Sequence, residues 1–203
     1  MIIMINGAFG VGKTSVANEL VNAIGNSMLY DPEEVGYMLR NIVTEDVMLP
    51  GERTGDFQDI ELWKILTVNV AQLLKKRYGK NLIVPMTIYD KERFQYIYKG
   101  FKQLDKQTFH FCLNAEEETI YERLEKRGEK EGNWCFQQTK KCVEAFKSKC
   151  FQELIKTDKL SVKEVSSQIV DHVKSRSSYK SYGGIENDGS EPLIPQKNRL
   201  SGK

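Results

Sequence analysis

Ile2-Ile3-Met4-Ile5-Asn6-Gly7-Ala8-Phe9-Gly10-Val11-Gly12-Lys13-Thr14 is the stretch on which the reading of this chain turns. Residues 1–5 are a short apolar run rich in Ile, which predicts a buried strand. Asn6 to Gly12 is a glycine-rich loop, and from Lys13 to Ile24 the apolar Val16, Ala17, Leu20, Val21 and Ile24 recur at helical spacing. Inside that strand–loop–helix frame, Gly7 to Thr14 reads GxxxxGKT, the Walker A pattern. Its glycines let successive backbone N–H groups converge on a phosphate, and the helix N-terminus adds the positive end of its dipole. Lys13 then reaches the outer phosphates, and the Thr14 hydroxyl takes one position on Mg²⁺. The segment therefore predicts a bound nucleoside triphosphate, ATP with Mg²⁺, held by Gly7, Ala8, Phe9, Gly10, Val11, Gly12, Lys13 and Thr14.

Outward from the loop, short apolar strands alternate with helices. Met28-Leu29-Tyr30 is a second strand, and Asp31-Pro32-Glu33-Glu34 reads as a helix start, with Asp at the N-cap and Pro in the first turn. Thr44 to Asp56 is a polar loop, and Phe57 to Tyr78 a long helix ending in Lys75-Lys76-Arg77 before Gly79. Leu82-Ile83-Val84 is a third strand with Pro85 at its exit. Asp90 to Leu104 is helical, Thr108 to Leu113 a fourth strand, and Ala115 to Arg127 helical again. Gly128 to Asn133 reads as a charged hinge, Trp134 to Lys147 as a lid-like helix, and Glu153 to Lys156 as a fifth strand. Ser161 to Val173 is the last helix, with Ser161 and Glu164 spaced as a capping box. This alternation predicts an α/β fold with a parallel sheet covered on both faces.

The chain has 203 residues, room for one domain and a tail. Lys and Arg number 30 against 28 Asp and Glu, a net +2. From Lys174 onward there are six basic and three acidic residues, so residues 1–173 are almost neutral. That excludes a strongly basic nucleic-acid coat. The expected organisation is a domain over 1–173 and a disordered tail over 174–203, where Ser, Gly, Asn and Pro dominate. No apolar run is long enough to span a bilayer, and no signal-peptide charge region precedes the apolar start. A cytoplasmic protein is expected. Cys112, Cys135, Cys142 and Cys150 form no CxxC pair, which argues for reduced thiols rather than zinc, with Cys112 in a strand and the others on helical segments.

Several residues carry two readings. Asp31, at the carboxyl end of the second strand, is placed to take a proton from an attacking hydroxyl or hold a magnesium-bound water, or simply to cap the following helix. Arg123 and Arg127 lie four apart on one helix face, either as a clamp on a transferring phosphoryl group or as solvated charge among Glu122, Glu125 and Lys126. Arg40 is a substrate clamp or surface charge, and Trp63 either core or a ring stacked at a pocket mouth. His110 reads as a core or edge histidine, and His172 has no polar constellation near it in sequence. The third strand ends Val84-Pro85-Met86-Thr87 without the acid that supports magnesium in hydrolytic motors. Asp90, several residues later, reads as a helix cap. A kinase-like site using the strand-two carboxylate fits better than a motor ATPase.

Beyond the loop, the runs Ile5–Gly10, Tyr30-Asp31-Pro32-Glu33 continuing to Gly36 and Leu39-Arg40, Asp56-Phe57-Gln58 with Leu62-Trp63, and Ile83–Ile88 resemble the tunicamycin-resistance ATP-binding proteins. The similarity continues through Arg123-Leu124, Arg127, Trp134, Cys142-Val143-Glu144 and Thr157-Asp158, over roughly residues 1–172. The resemblance implies a P-loop kinase-like fold with a five-stranded sheet ordered 2-3-1-4-5 and a mobile lid. It implies Asp31 facing the acceptor hydroxyl, Arg123 and Arg127 as lid arginines, and Thr157 and Asp158 beside the adenine. The activity implied is ATP-dependent phosphoryl transfer to a small nucleoside-like molecule or antibiotic, the alternative being an ATP-binding protein that sequesters the drug without catalysis.

Overall fold

The computed structural model describes residues 1–182 apart from positions 131, 149 and 152. In chain order the elements are β1 (Ile2–Gly7), α1 (Lys13–Ala23), β2 (Ser27–Leu29), α2 (Pro32–Ile42), α3 (Glu61–Tyr78), β3 (Asn81–Met86), α4 (Lys91–Leu104), β4 (Thr108–Asn114), α5 (Glu117–Lys126), α6 (Trp134–Phe146), β5 (Leu154–Lys156) and α7 (Val162–Tyr182). All strands pair in parallel, in the order β2-β3-β1-β4-β5. This is the expected order.

β1 is buried at every position, as is β3 after its first residue, because helices cover both faces of the sheet. The crossover from β1 to β2 runs toward one edge and the later ones toward the other. Right-handed connections therefore place α1 opposite α3 and α4. α7 returns to pack against α1, while α3 packs against α4. Ile2, Ile3, Met4, Ile5, Leu82, Ile83 and Val84 form the centre of the core. Each such side chain removed from water contributes about 1.5–3 kcal/mol before chain entropy is set against it.

Pro85 lies within β3 rather than at its exit, paired with Ile5 of β1. Ile83 turns its carbonyl toward β2 and accepts from Tyr30 N–H at 2.9 Å. Pro85, two residues on, faces the same side beyond the end of β2, so its missing N–H removes no ladder bond. Asn6, fully buried, joins the β1 tip to the strand beside it. Its Nδ2 donates to Ile88 O, and its Oδ1 accepts from the Gly7 and Ile88 N–H groups, all at 2.9 Å.

Boundaries moved where tertiary contacts outweighed local pattern. The helix expected from Phe57 begins at Glu61, preceded by a separate 3₁₀ turn over Phe57–Asp59 that Asp56 caps. The last helix does not stop at Val173: it continues to Tyr182, so the expected boundary at 173/174 cuts through α7. Residues 183–203, where the expected tail continues, lie outside the described residues. Ser161 and Glu164 do form the capping box, with Ser161 N–H to Glu164 Oε2 at 2.7 Å and Glu164 N–H to Ser161 Oγ at 3.3 Å. Cys150 sits in the turn before β5 rather than on a helix. No described helix is long and apolar enough to cross a membrane.

Candidate functional site

The loops that leave the carboxyl ends of β1, β2 and β3 gather at one edge of the sheet, where open α/β sheets bind ligands. The β1–α1 loop is shaped by backbone that only glycine adopts easily. Gly7 has φ +151°, and a Cβ there would lie 2.6 Å from Leu113 O, so β4 approaches too closely for any side chain. Gly12 has φ +101° and heads α1, yet a Cβ there would meet nothing within 4 Å. No side chain caps α1, so its first N–H groups and its dipole are presented to the space in front of Gly12.

Lys13 is 9% exposed and folds back over its own loop, donating from Nζ to Ala8 O at 2.8 Å above the Phe9 ring. Burial lowers its ammonium to a pKa of about 8, opposed by the Glu33 carboxylate and reinforced by Arg127. Thr14 is exposed in the first turn of α1. A cavity of about 650 Å³ opens over this loop, lined by Gly10–Val16, Arg123, Lys126, Arg127, Thr157, Leu160, Ser161, Val162 and Val165. The uncapped helix, the open face at Gly12 and the desolvated ammonium give it the chemistry that suits a polyanion. The apolar Leu160, Val162 and Val165 line the same cavity.

The two arginines have different positions. Arg123 donates from Nη1 to Thr157 Oγ1 at 3.0 Å and from Nη2 to Thr157 O at 2.8 Å, and its Nη1 also reaches Val11 O at 3.4 Å. It is tied between the β1–α1 loop and the β5–α7 loop rather than held free beside the phosphate end. Arg127, the C-cap of α5, is exposed; its backbone N–H donates to Leu124 O at 3.0 Å, and its side chain makes no hydrogen bond or ion pair among the described residues. Thr157 is buried in the cavity wall, whereas Asp158 turns away and accepts the Glu116 N–H at 2.7 Å, tying the same loop to the start of α5.

On the other flank of the edge, Asp31 caps α2, accepting the Glu33 N–H at 2.9 Å. Burial raises its carboxyl, and Glu34 adds to this, while that N–H and the Lys13 charge work against it. Glu33 is likewise raised, first by burial and then by the Asp31 charge, with the Tyr37 hydroxyl 3.4 Å away. The two acids are both within the field of Lys13. Asp56 is a third raised carboxyl. Burial is again the first cause, and the Gln58 N–H that it accepts at 2.9 Å opposes it. Gln58 Nε2 donates to Thr87 O at 2.8 Å, which leaves Gln58 Oε1 and Thr87 Oγ1 buried without partners among the described residues.

Trp63 is not at a pocket mouth. It is 1% exposed, its indole N–H donates to Pro32 O at 3.0 Å, and Phe57 packs on it at 5.7 Å. It belongs to the core and supports α2 immediately after Asp31. Arg40 is exposed, donates to Gly55 O and lies 5.2 Å over the Phe57 ring. It ties α2 to the loop that ends at Asp56. His110 is a buried wall histidine against Phe94, and Asp90 caps α4 through Arg93 N–H at 2.8 Å, both as expected. His172 does have polar company, with Glu153 Oε2 2.9 Å from its Nε2 and Arg176 on the same carboxylate. Cys112 and Cys142 are buried, and burial pushes both thiols up to about 12, so they stay neutral. No metal-binding cluster of His, Cys, Asp and Glu occurs among the described residues.

Glu33, Asp56, Gln58, Thr87 and Asn6 lie in the runs that carry the family resemblance, but the sequence did not single them out as site residues. Glu33 carried one signal: it is the acid nearest Asp31 in the turn that starts from the end of β2.

A family model described as an AAA domain matches residues 3–145. The tunicamycin resistance protein of Deinococcus radiodurans is 32% identical over 85% of this chain and 94% of its own, with a TM-score of 0.68. The chain belongs to the tunicamycin-resistance family. Members share a P-loop kinase-like fold, and two distant structures carry that fold here: a gluconokinase of Sinorhizobium meliloti 1021 (13% identity, 89% and 95% coverage, TM-score 0.62) and a shikimate kinase of Bacteroides thetaiotaomicron (14%, 86% and 98%, TM-score 0.58). None of the curated proteins compared matches the chain.

Proposed function

We propose that this protein is an ATP-dependent phosphotransferase acting on a hydroxyl of a small nucleoside-like molecule or antibiotic of the tunicamycin type. The observation that carries this reading is the pairing of a desolvated Lys13 with the raised carboxyls of Asp31 and Glu33 across one sheet edge. A cation for the phosphates and a base for the acceptor therefore lie within each other's electrostatic field, as phosphoryl transfer needs.

The residues present fit ATP with Mg²⁺: the uncapped start of α1 and the open face at Gly12 suit its phosphates. When bound, Mg²⁺ neutralises phosphate charge and shares the Thr14 hydroxyl. Lys13 exchanges its bond to Ala8 O for the phosphates, and the wall formed by Thr157, Leu160 and Val162 receives the base. Asp31 accepts the proton of the attacking hydroxyl as that oxygen bonds to the γ-phosphorus and ADP departs. Burial makes its carboxylate a stronger base than a solvated aspartate. Arg127, exposed on a glycine-flanked hinge, closes on the transferring group with α6 as the lid. Arg123 acts by holding the loop under the base, and Arg40 by setting the acceptor wall.

A second reading rests on one observation. β3 ends without an acid, and Asp31 already serves as a helix cap, so ATP could order the site while the drug is sequestered unchanged. Mass spectrometry of nucleosides and nucleoside antibiotics incubated with protein, ATP and Mg²⁺ separates the two. A product heavier by one phosphoryl group supports transfer. Tight binding with intact ATP and unmodified drug overturns it.

A further inference from the structure

A cavity of about 860 Å³ lies away from the loop, beside the first half of β4. It arises from a register. β5 pairs only with Cys112, Leu113 and Asn114, so Thr108–Phe111 has β1 on one side and no described strand on the other. α4 and α7 therefore flank a gap where a longer β5 would lie. Volumes of this size suit a small-molecule site.

One wall of the gap is aromatic. Phe94 and Tyr98 stack at 5.6 Å with their planes 11° apart, and His110 packs against them at 4.6 and 6.2 Å. The rim is cationic. Lys102 lies 5.6 Å over the Tyr98 ring, and the exposed Lys106 and Arg176 of α7 line the same cavity. Glu153, the single acid among the described lining residues, lies 2.9 Å from His172 and 3.3 Å from Arg176. It also holds φ +63°, a left-handed conformation unusual for a side chain of its kind. Among the described residues the lining thus carries three cations against one acid, and its wall is aromatic.

We propose that this cavity binds a small amphipathic anion, with a flat apolar body against Phe94, Tyr98 and His110 and one anionic group at the rim of Lys102, Lys106 and Arg176. Ring stacking orients the body, and charge-assisted contacts select the anion over a neutral molecule of the same shape. The site shares no lining residue with the loop cavity, so it fills independently of ATP.

Two fluorescent naphthylamines test this on the full chain: 1-anilinonaphthalene-8-sulfonate and its uncharged parent N-phenyl-1-naphthylamine. We expect one sulfonate dye per chain, bound about tenfold or more tighter than the neutral dye, as one charge-assisted contact implies. Millimolar ATP with Mg²⁺ leaves it bound. Lys106→Glu, at an exposed position, removes that preference without altering neutral-dye binding, and Tyr98→Ser weakens both dyes. Melting temperatures measured without dye show that each variant is folded, and Lys106→Glu carries the test alone if Tyr98→Ser is not. Equal affinity for the two dyes, displacement by ATP, or indifference of sulfonate binding to Lys106→Glu overturns the proposal, as does absence of binding. Apart from the ATP competition, the dye titrations contain no nucleotide and none requires turnover, so they stand even if ATP turnover fails.

Discussion

The guanidinium of Arg123 grips Thr157 at two points, the hydroxyl at 3.0 Å and the carbonyl at 2.8 Å, and so couples α5 to the loop that follows β5. Bonds from a charged donor contribute about 1.5–3 kcal/mol each when partly buried. Arg123→Met is therefore expected to lower stability by about 2 kcal/mol and to weaken ATP binding about tenfold, with little effect on kcat. Thr157→Ser keeps the hydroxyl and is expected to be nearly neutral. Thermal unfolding and ATP titration check both. A variant of unchanged melting temperature that loses only kcat would instead place Arg123 on the transferring phosphoryl group.

Lys13 makes nucleotide binding depend on pH. Its ammonium titrates at about 8 in the folded protein and at 10.5 when solvated. A bound triphosphate favours the charged form, so ATP affinity should be flat below pH 8 and fall by up to about tenfold per unit above it. The stability effect has the opposite sense. Between pH 8 and 10.5 the unfolded chain holds the extra proton, so the contribution of Lys13 to stability rises with pH across that window and is a penalty below it. Lys13→Met should abolish ATP binding while leaving the melting temperature at pH 7 equal or higher. Calorimetric titration across the pH range, paired with unfolding curves, measures both effects. A pH-independent ATP affinity would be incompatible with the buried ammonium.

Asp31 separates chemistry from folding because asparagine caps helices as well as aspartate does. Asp31→Asn should keep the Glu33 N–H contact and ATP affinity while lowering turnover by about 10²–10⁴-fold. Asp31→Ala should cost a further ~1 kcal/mol of stability through the lost cap. Turnover should also decline as pH falls through the raised Asp31 pKa, since the protonated carboxyl accepts nothing. Steady-state kinetics of both variants decide the matter, and turnover retained in Asp31→Asn removes it as the base.

Gly36 tests how the acceptor wall is built. A Cβ there would fall 2.3 Å from the Phe57 ring, which also meets Tyr37 at 5.8 Å and carries Arg40 on its face. Gly36→Ala should displace Phe57 and destabilise the protein by about 1–3 kcal/mol, partly offset by the better helix propensity of alanine. ATP affinity should be unaffected, because the wall lies on the other flank. Chemical denaturation beside ATP titration tests the separation.

Much of the site was legible because its signals are local. A helix start, a glycine-rich turn and a capping box are each written within four to eight residues, and Lys13, Thr14, Asp31, Asp90 and Ser161 occupy the places their neighbours imply. Trp63 shows the opposite case. Its place in an apolar stripe was visible, but whether the ring faced core or cleft depended on Pro32 offering a carbonyl to its N–H. Arg123 and Arg127 look equivalent in sequence. They diverge because Thr157, distant along the chain, engages only Arg123.

By itself the sequence determined the strand–loop–helix at Gly7–Thr14, the α/β alternation and the helix caps, because backbone preference and hydrophobic period act over a few residues. Tertiary structure alone decided the lowered pKa of Lys13, the raised Asp31 and Glu33, and the gap beside β4. Burial and electrostatic fields are set by what long-range pairing brings together. In β5 that pairing covers three residues of β4 and leaves the rest of its outer edge without a strand partner among the described residues.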